Sequence, residues 1–223
     1  MNGRTIAIGD IHGCSTALQA LLRAVEPRPD DLIVTLGDYV NRGPDSRGVL
    51  DRLIDLRRRS RLVSILGNHD EMQLQARDRS TNNAPRDSAG LLTRAAKTVD
   101  RPTTPLTEGH FAFLDACVDS FETDGHIFVH AGYDPALPMS EQPADLLRWQ
   151  SLRRGLPGPH VSGKPVVAGH TSQKNGKILN LGYLVCIDTY CYGGGWLTAL
   201  DVHSGATWQV DARGRLRQRR SPR

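Results

Sequence analysis

An α/β fold is predicted by three features of the chain. Short apolar runs have the length of strands, segments of helical period separate them in the first half, and strand-like runs alternate closely with turns in the last third. The runs Thr5–Ile8, Leu32–Leu36 and Leu62–Leu66 are uninterrupted, as expected of strands covered on both faces. Ser15–Val25 and Ser46–Leu56 lie between them, the second with Val49, Leu50, Leu53, Ile54 and Leu56 as an apolar stripe. Ser15 and Asp45 stand where helix N-caps belong, and Gly43-Pro44 marks the turn before the second helix. Ala76–Pro105, rich in Arg, Asp, Asn, Thr and Pro, reads as a surface excursion with one short helical candidate near Gly90–Thr98. A helix over Glu108–Cys117 follows, then strands at Ser120–Thr123 and His126–His130 and a short helix around Ala144–Arg153. The last strands are expected at Pro165–Ala168, Lys177–Asn180, Tyr183–Ile187, Gly195–Val202 and Ala206–Val210.

The 223 residues suit one domain, expected over 1–212, with a basic, disordered tail over 213–223. The formal charge of +4 is concentrated there: Arg213, Arg215, Arg217, Arg219, Arg220 and Arg223 supply six positive charges, and the remainder is net acidic. A nucleic-acid partner is therefore not expected. No run of apolar residues reaches membrane-spanning length, and the first residues lack a signal-peptide pattern, so a cytoplasmic protein without a membrane partner is expected. Cys14, Cys117, Cys186 and Cys191 show no pairing pattern and read as free thiols.

Five predicted strand ends carry residues of metal-ligand type, the edge of an α/β sheet where ligands collect. Asp10 and His12, in Gly-Asp-Ile-His-Gly, sit two residues apart on a tight turn and can face one point. Asp38 repeats the strand-then-Gly-Asp arrangement, and two neighbouring carboxylates repel unless a cation lies between them. Arg42, on the same loop, offers a planar fork for a phosphate. In Gly67-Asn68-His69-Asp70, Asn68 offers a neutral carbonyl ligand and His69 a proton donor. His130 and His170 each follow a short apolar strand, and either alone reads as a structural histidine. Their concurrence changes the reading.

Taken together, GDxHG, GDxxxRG, GNHD, HAG and GHT resemble the phosphoprotein phosphatase branch of the calcineurin-like metallophosphoesterases. The resemblance implies two mixed β-sheets packed as a sandwich flanked by helices. It implies two divalent cations, Mn2+ with Fe or Zn as alternatives, one held by Asp10, His12 and bridging Asp38, the other by Asp38, Asn68, His130 and His170. Phosphate esters would be cleaved by direct attack of a hydroxide shared between the cations. Arg42, Asn68 and a second arginine would bind the phosphate; Arg148 is the expected second arginine, with Arg153 and Arg154 as rivals. His69 would protonate the leaving oxygen, supported by residue 41.

This chain departs from the branch at that last position, with Asn41 and Asp70 where GDxxDRG and GNHE are usual. An amide does not stabilise an imidazolium as a carboxylate does. The leading expectation is a bacterial-type serine/threonine protein phosphatase acting on phosphomonoesters of a phosphoprotein. The alternative is a symmetrical diadenosine tetraphosphate hydrolase giving ADP, since NRGP with GNHD resembles that sister group. A third reading is a catalytically weak metal-binding module silenced by Asn41.

Overall fold

The computed structural model describes residues 3–81 and 105–220. The helical candidate at Gly90–Thr98 and most of the expected surface excursion lie outside the described residues. The first half is a β-α-β-α-β series: β1 (Thr5–Ile8), α1 (Ser15–Val25), β2 (Leu32–Thr35), α2 (Ser46–Arg59) and β3 (Arg61–Ser64), followed by α3 (Asn68–Thr81). Next come α4 (Glu108–Asp115), β4 (Ser120–Glu122), β5 (Ile127–Val129), α5 (Ala144–Trp149), β6 (Val166–Ala168), β7 (Leu179–Asn180) and β8 (Leu184–Cys186). Three strands close the chain: β9 (Leu197–Asp201), β10 (Thr207–Val210) and β11 (Leu216–Arg220).

These strands form a six-stranded sheet of order β11-β10-β9-β1-β2-β3 and a five-stranded sheet of order β4-β5-β6-β8-β7. Both are mixed: β1, β2 and β3 run parallel, whereas β9 joins β1 antiparallel. The uninterrupted apolar runs follow from double coverage. In β1, Ile6 and Ile8 pack with Leu18 and Leu21 of α1 and Leu50 and Leu53 of α2. Ala7 points the other way, into a layer with Val34, Phe128 and Val167 that joins the two sheets. Each leucine or isoleucine withdrawn from water in this way contributes roughly 1.5–3 kcal/mol. A third cluster, with Val129, Tyr133, Leu147 and Leu152, covers the outer side of the second sheet.

Several expectations shift. Leu62 and Val63 are only half-buried because β3 is the edge strand, and full burial begins past its end at Ile65. Asp45 caps α2 by accepting from the Gly48 N–H at 2.8 Å, but the residue capping α1 is Cys14, with Ser15 inside the helix. The largest difference is the tail. Residues 216–220, expected to be disordered, form β11 against β10. Arg217 stacks on the Trp196 ring at 5.0 Å and donates to the Gly176 carbonyl at 3.0 Å, which ties this arginine to the body of the fold. The four cysteines are all free.

Candidate dinuclear metal site

Loops leaving β1, β2, β3, β5 and β6 bring Asp10, His12, Asp38, Asn68, His130 and His170 to one place. The loops are bent unusually. His12, Asp38, Asn41, Arg42 and His170 all have φ between +46° and +71°, a region that costs non-glycine residues about 1–3 kcal/mol each unless the surroundings enforce it. Two glycines permit the close approach. A Cβ on Gly67 would fall 2.2 Å from Asp38 Oδ1, and one on Gly169 would fall 2.2 Å from Asp10 Oδ1.

The hydrogen bonds determine which atoms face inward. His130 Nδ1 lies 2.7 Å from the Leu36 carbonyl and His12 Nδ1 lies 3.2 Å from the Val40 carbonyl. A carbonyl only accepts, so each ring carries its hydrogen on Nδ1 and presents a lone pair at Nε2. His130 Nε2 then lies 3.1 Å from Asn68 Oδ1, 3.2 Å from His170 Nδ1 and 3.5 Å from Asp38 Oδ1. His12 Nε2 lies 3.3 Å from Asp38 Oδ2 and 4.0 Å from Asp10 Oδ2. Acceptors converge on acceptors, with Asp38 in both groups. Such a set of nitrogen and oxygen lone pairs fits two divalent cations sharing Asp38, of Mn, Fe or Zn type.

Electrostatics agree. Burial pushes Asp38 up to about 8 and Asp10 well above the usual carboxylate range, with Asp188 adding to both. Burial likewise holds His130 down to about 4, and burial plus His130 holds His170 down to about 3. His69 is brought down to about 3 by burial and by the Arg42 charge. Packed carboxylates kept from ionising and imidazoles kept neutral are what this pocket does without a cation, and a cation reverses the first effect.

Three residues gain roles that the motifs did not assign. Asp188 stands beside Asp10, accepting from Ser172 Oγ at 2.7 Å and from the Tyr190 N–H at 3.0 Å. It follows the end of β8, so the strand-end rule that found Asp10 and Asp38 applies to it too. Tyr192 meets His12 edge-on at 4.6 Å and lies beneath Arg42 at 5.6 Å; nothing in its sequence context signals this. Asp70 is completely buried and accepts from the N–H groups of Tyr39, Val40 and Gly67 at 2.9, 3.3 and 3.1 Å. It therefore staples two ligand loops together. A glutamate would need room for one more methylene.

Arg148 is engaged by carboxylates. It is clamped between Glu71, at 2.5 Å, and Asp119. Its rival Arg153 acts electrostatically on both His170 and Asp188 and lines a cavity of about 520 Å³ with Thr171, Ser172 and Lys174. Two histidines outside the motifs have structural partners: His110 closes the cap of α4 and meets Asp51, and His160 bonds the Leu137 carbonyl.

Two sheets with a shared-carboxylate cation site at their strand ends define a metal-dependent phosphoesterase fold. Residues 3–174 match the calcineurin-like phosphoesterase family, and the chain belongs to that family. It is 33% identical over 164 residues to the symmetrical bis(5'-nucleosyl)-tetraphosphatase of Burkholderia thailandensis, covering 69% of this chain and 54% of that one. It is 45% identical over 71 residues to serine/threonine-protein phosphatase 1 of Salmonella typhimurium, covering 31% of each. The matched stretches thus span about half, or less, of these curated relatives. A crystal structure described as a putative diadenosine tetraphosphatase superposes with a TM-score of 0.69 at 27% identity, covering 94% of both chains. Among the described residues, no helix is long and apolar enough to cross a membrane.

Proposed function

We propose that this chain hydrolyses phosphoanhydrides, with a dinucleoside polyphosphate such as diadenosine tetraphosphate as its substrate and a nucleoside diphosphate as product. The observation carrying this reading is the likeness, over 94% of both chains, to a structure described as a putative diadenosine tetraphosphatase. It supports the dinucleotide reading over the protein phosphatase that the motifs put first. A serine/threonine phosphatase is the second reading, favoured by the 45% identity over 71 residues.

Asp10, His12, Asp38, Asn68, His130 and His170 would hold the two cations. When bound, these would activate water and offset charge on the phosphoryl oxygens. The chain itself does the rest. Arg42, lying over the Tyr192 ring, meets a non-bridging phosphate oxygen with its planar fork. Arg153 and Lys174 line the adjoining cavity and draw in the remainder of the phosphate chain. Asp70 keeps the loops of Asp38 and Asn68 at a fixed separation. Phosphate release and product analysis on Mn2+-supplemented protein, with diadenosine tetraphosphate beside a phosphothreonine peptide, test the reading. Faster conversion of the dinucleotide to ADP is expected. Faster dephosphorylation of the peptide would replace it with the second reading.

A further inference from the structure

The residue facing His69 is an amide, and its orientation is legible. Asn41 Nδ2 lies 3.4 Å from His69 Nδ1 and 3.5 Å from the His69 backbone carbonyl. A carbonyl can only accept, so the NH2 end of Asn41 faces His69. Its oxygen faces Gln73 of α3, whose Nε2 donates to Asn41 Oδ1 at 2.9 Å. All three residues are buried, and the Asn41 backbone is anchored by a hydrogen bond from its N–H to Ser46 Oγ at 3.0 Å. The chain of donors therefore runs one way, from Gln73 to Asn41 to His69.

We propose that Gln73 and Asn41 are positioning residues that make His69 Nδ1 an acceptor, so that His69 binds a leaving oxygen through Nε2–H without transferring that hydrogen, restricting the enzyme to acidic leaving groups. This deepens the proposed function and rests on it. A neutral imidazole that accepts at Nδ1 carries its one hydrogen on Nε2. That hydrogen also withdraws His69 from the cation-binding set, although its ring nitrogen lies within 4.8 Å of ligand atoms of His12 and Asp38. A carboxylate at position 41 would do the opposite. It would accept from Nδ1–H and stabilise the positive ring that donates a proton.

The consequence follows from the bonds exchanged. The water oxygen forms a bond to phosphorus, the bond from phosphorus to the leaving oxygen breaks, and its electron pair stays on that oxygen. A phosphate group, with a second ionisation at about 6, leaves as an anion and needs no proton; the hydrogen lost by water goes to solvent. An alcohol is about as weak an acid as water, so an alkoxide must take a proton as it leaves. General-acid help of this kind is worth ~10²–10⁴-fold.

Two measurements decide the matter. Nitrogen NMR of ring-labelled protein reads the His69 tautomer whether or not the protein turns over: an acceptor-type Nδ1 and a protonated Nε2 are expected, and a protonated Nδ1 overturns the proposal. The second is kcat/KM, with Mn2+, on diadenosine tetraphosphate, p-nitrophenyl phosphate, phenyl phosphate and β-glycerophosphate. The parent should fall steeply as the leaving group becomes less acidic. Asn41→Asp should narrow the gap at least ~10-fold, mainly by raising the slow substrates. Gln73→Glu leaves Asn41 in place but can only accept, which turns the amide round, so it should narrow the gap in the same direction. Equal steepness in parent and variants of unchanged melting temperature and metal content overturns the proposal. A parent that cleaves none of the substrates sinks the proposed function instead, and the tautomer still reports on the relay.

Discussion

The loops of the first sheet and those of the second supply the candidate ligands in different ways. From Gly9 to Asp70 each ligand travels with its own support: Asp10 with His12 on one turn, Asp38 with Asn41 and Arg42 on another, and Asn68 with His69 and Asp70 on a third. The second sheet offers isolated histidines, and both are aimed by the first half. His130 is turned by the Leu36 carbonyl, and the His170 backbone N–H is held by the Asp10 carboxylate at 3.0 Å. The first half is thus a template on which the second half's ligands are set.

The largest effect expected from this asymmetry is at Asp38, which belongs to both ligand groups. Asp38→Ala should remove both cations and lower phosphate release by ~10³-fold or more, beyond the ~10–100-fold typical of an outer partner. Elemental analysis and rate together check this. By contrast, His130→Ala should halve the bound metal and leave the cation on Asp10 and His12 in place. Equal loss from both variants would break the comparison.

Next in size is Gly169→Ala. Its added carbon meets the Asp10 carboxylate from the second half, so a ~10–100-fold loss of kcat is expected with little change in melting temperature. An unaffected rate would show that Asp10 does not depend on the second sheet.

Cation removal probes the centre as a whole. In metal-free protein, Asp38 binds its proton up to about pH 8, whereas the unfolded chain releases it near 3.9. The folded state then holds more protons than the unfolded state, so stability falls as pH rises through this interval. His130 and His170, held down to about 4 and about 3, act oppositely but only below the ordinary histidine value near 6.5. Between about pH 6.5 and 8 the carboxylates alone remain. Thermal melts of chelated protein should therefore decline over that window by ~2–4 °C for each kcal/mol lost, and divalent cation should abolish the decline. A flat melting temperature without cation would disprove the crowding of Asp10, Asp38 and Asp188.

The smallest effect separates the arginines. Arg148→Ala breaks the links to Glu71 and Asp119 and should lower the melting temperature by a few degrees with kcat/KM changed less than ~3-fold. Arg153→Ala should leave stability alone and raise KM for the longer phosphate chain. The reverse pattern would return the phosphate role to Arg148.

How much was readable in the sequence follows the same division. The first three strands, both helices between them and their ligands stood out because hydrophobic period, turn glycines and ligand residues are local. The second-half histidines acquired meaning only from the family's order of motifs. The pairing of Arg148 with Glu71 and Asp119 was not legible, because helix position does not reveal which carboxylates will reach a side chain. The arginine tail misled because its pairing partner, β10, carries the information that residues 216–220 are a strand. Asp188 was within reach of the strand-end rule but stood in a segment read as closing strands.

The sequence by itself determined the α/β class, the family resemblance and six candidate ligand positions, since these reside in period and short spacing. Only the tertiary structure decided which nitrogen of each histidine faces inward, which arginine adjoins the site and which end of the Asn41 amide meets His69. Those outcomes depend on hydrogen bonds between residues as far as 160 positions apart, set by how the two sheets pack and not by any local run of residues.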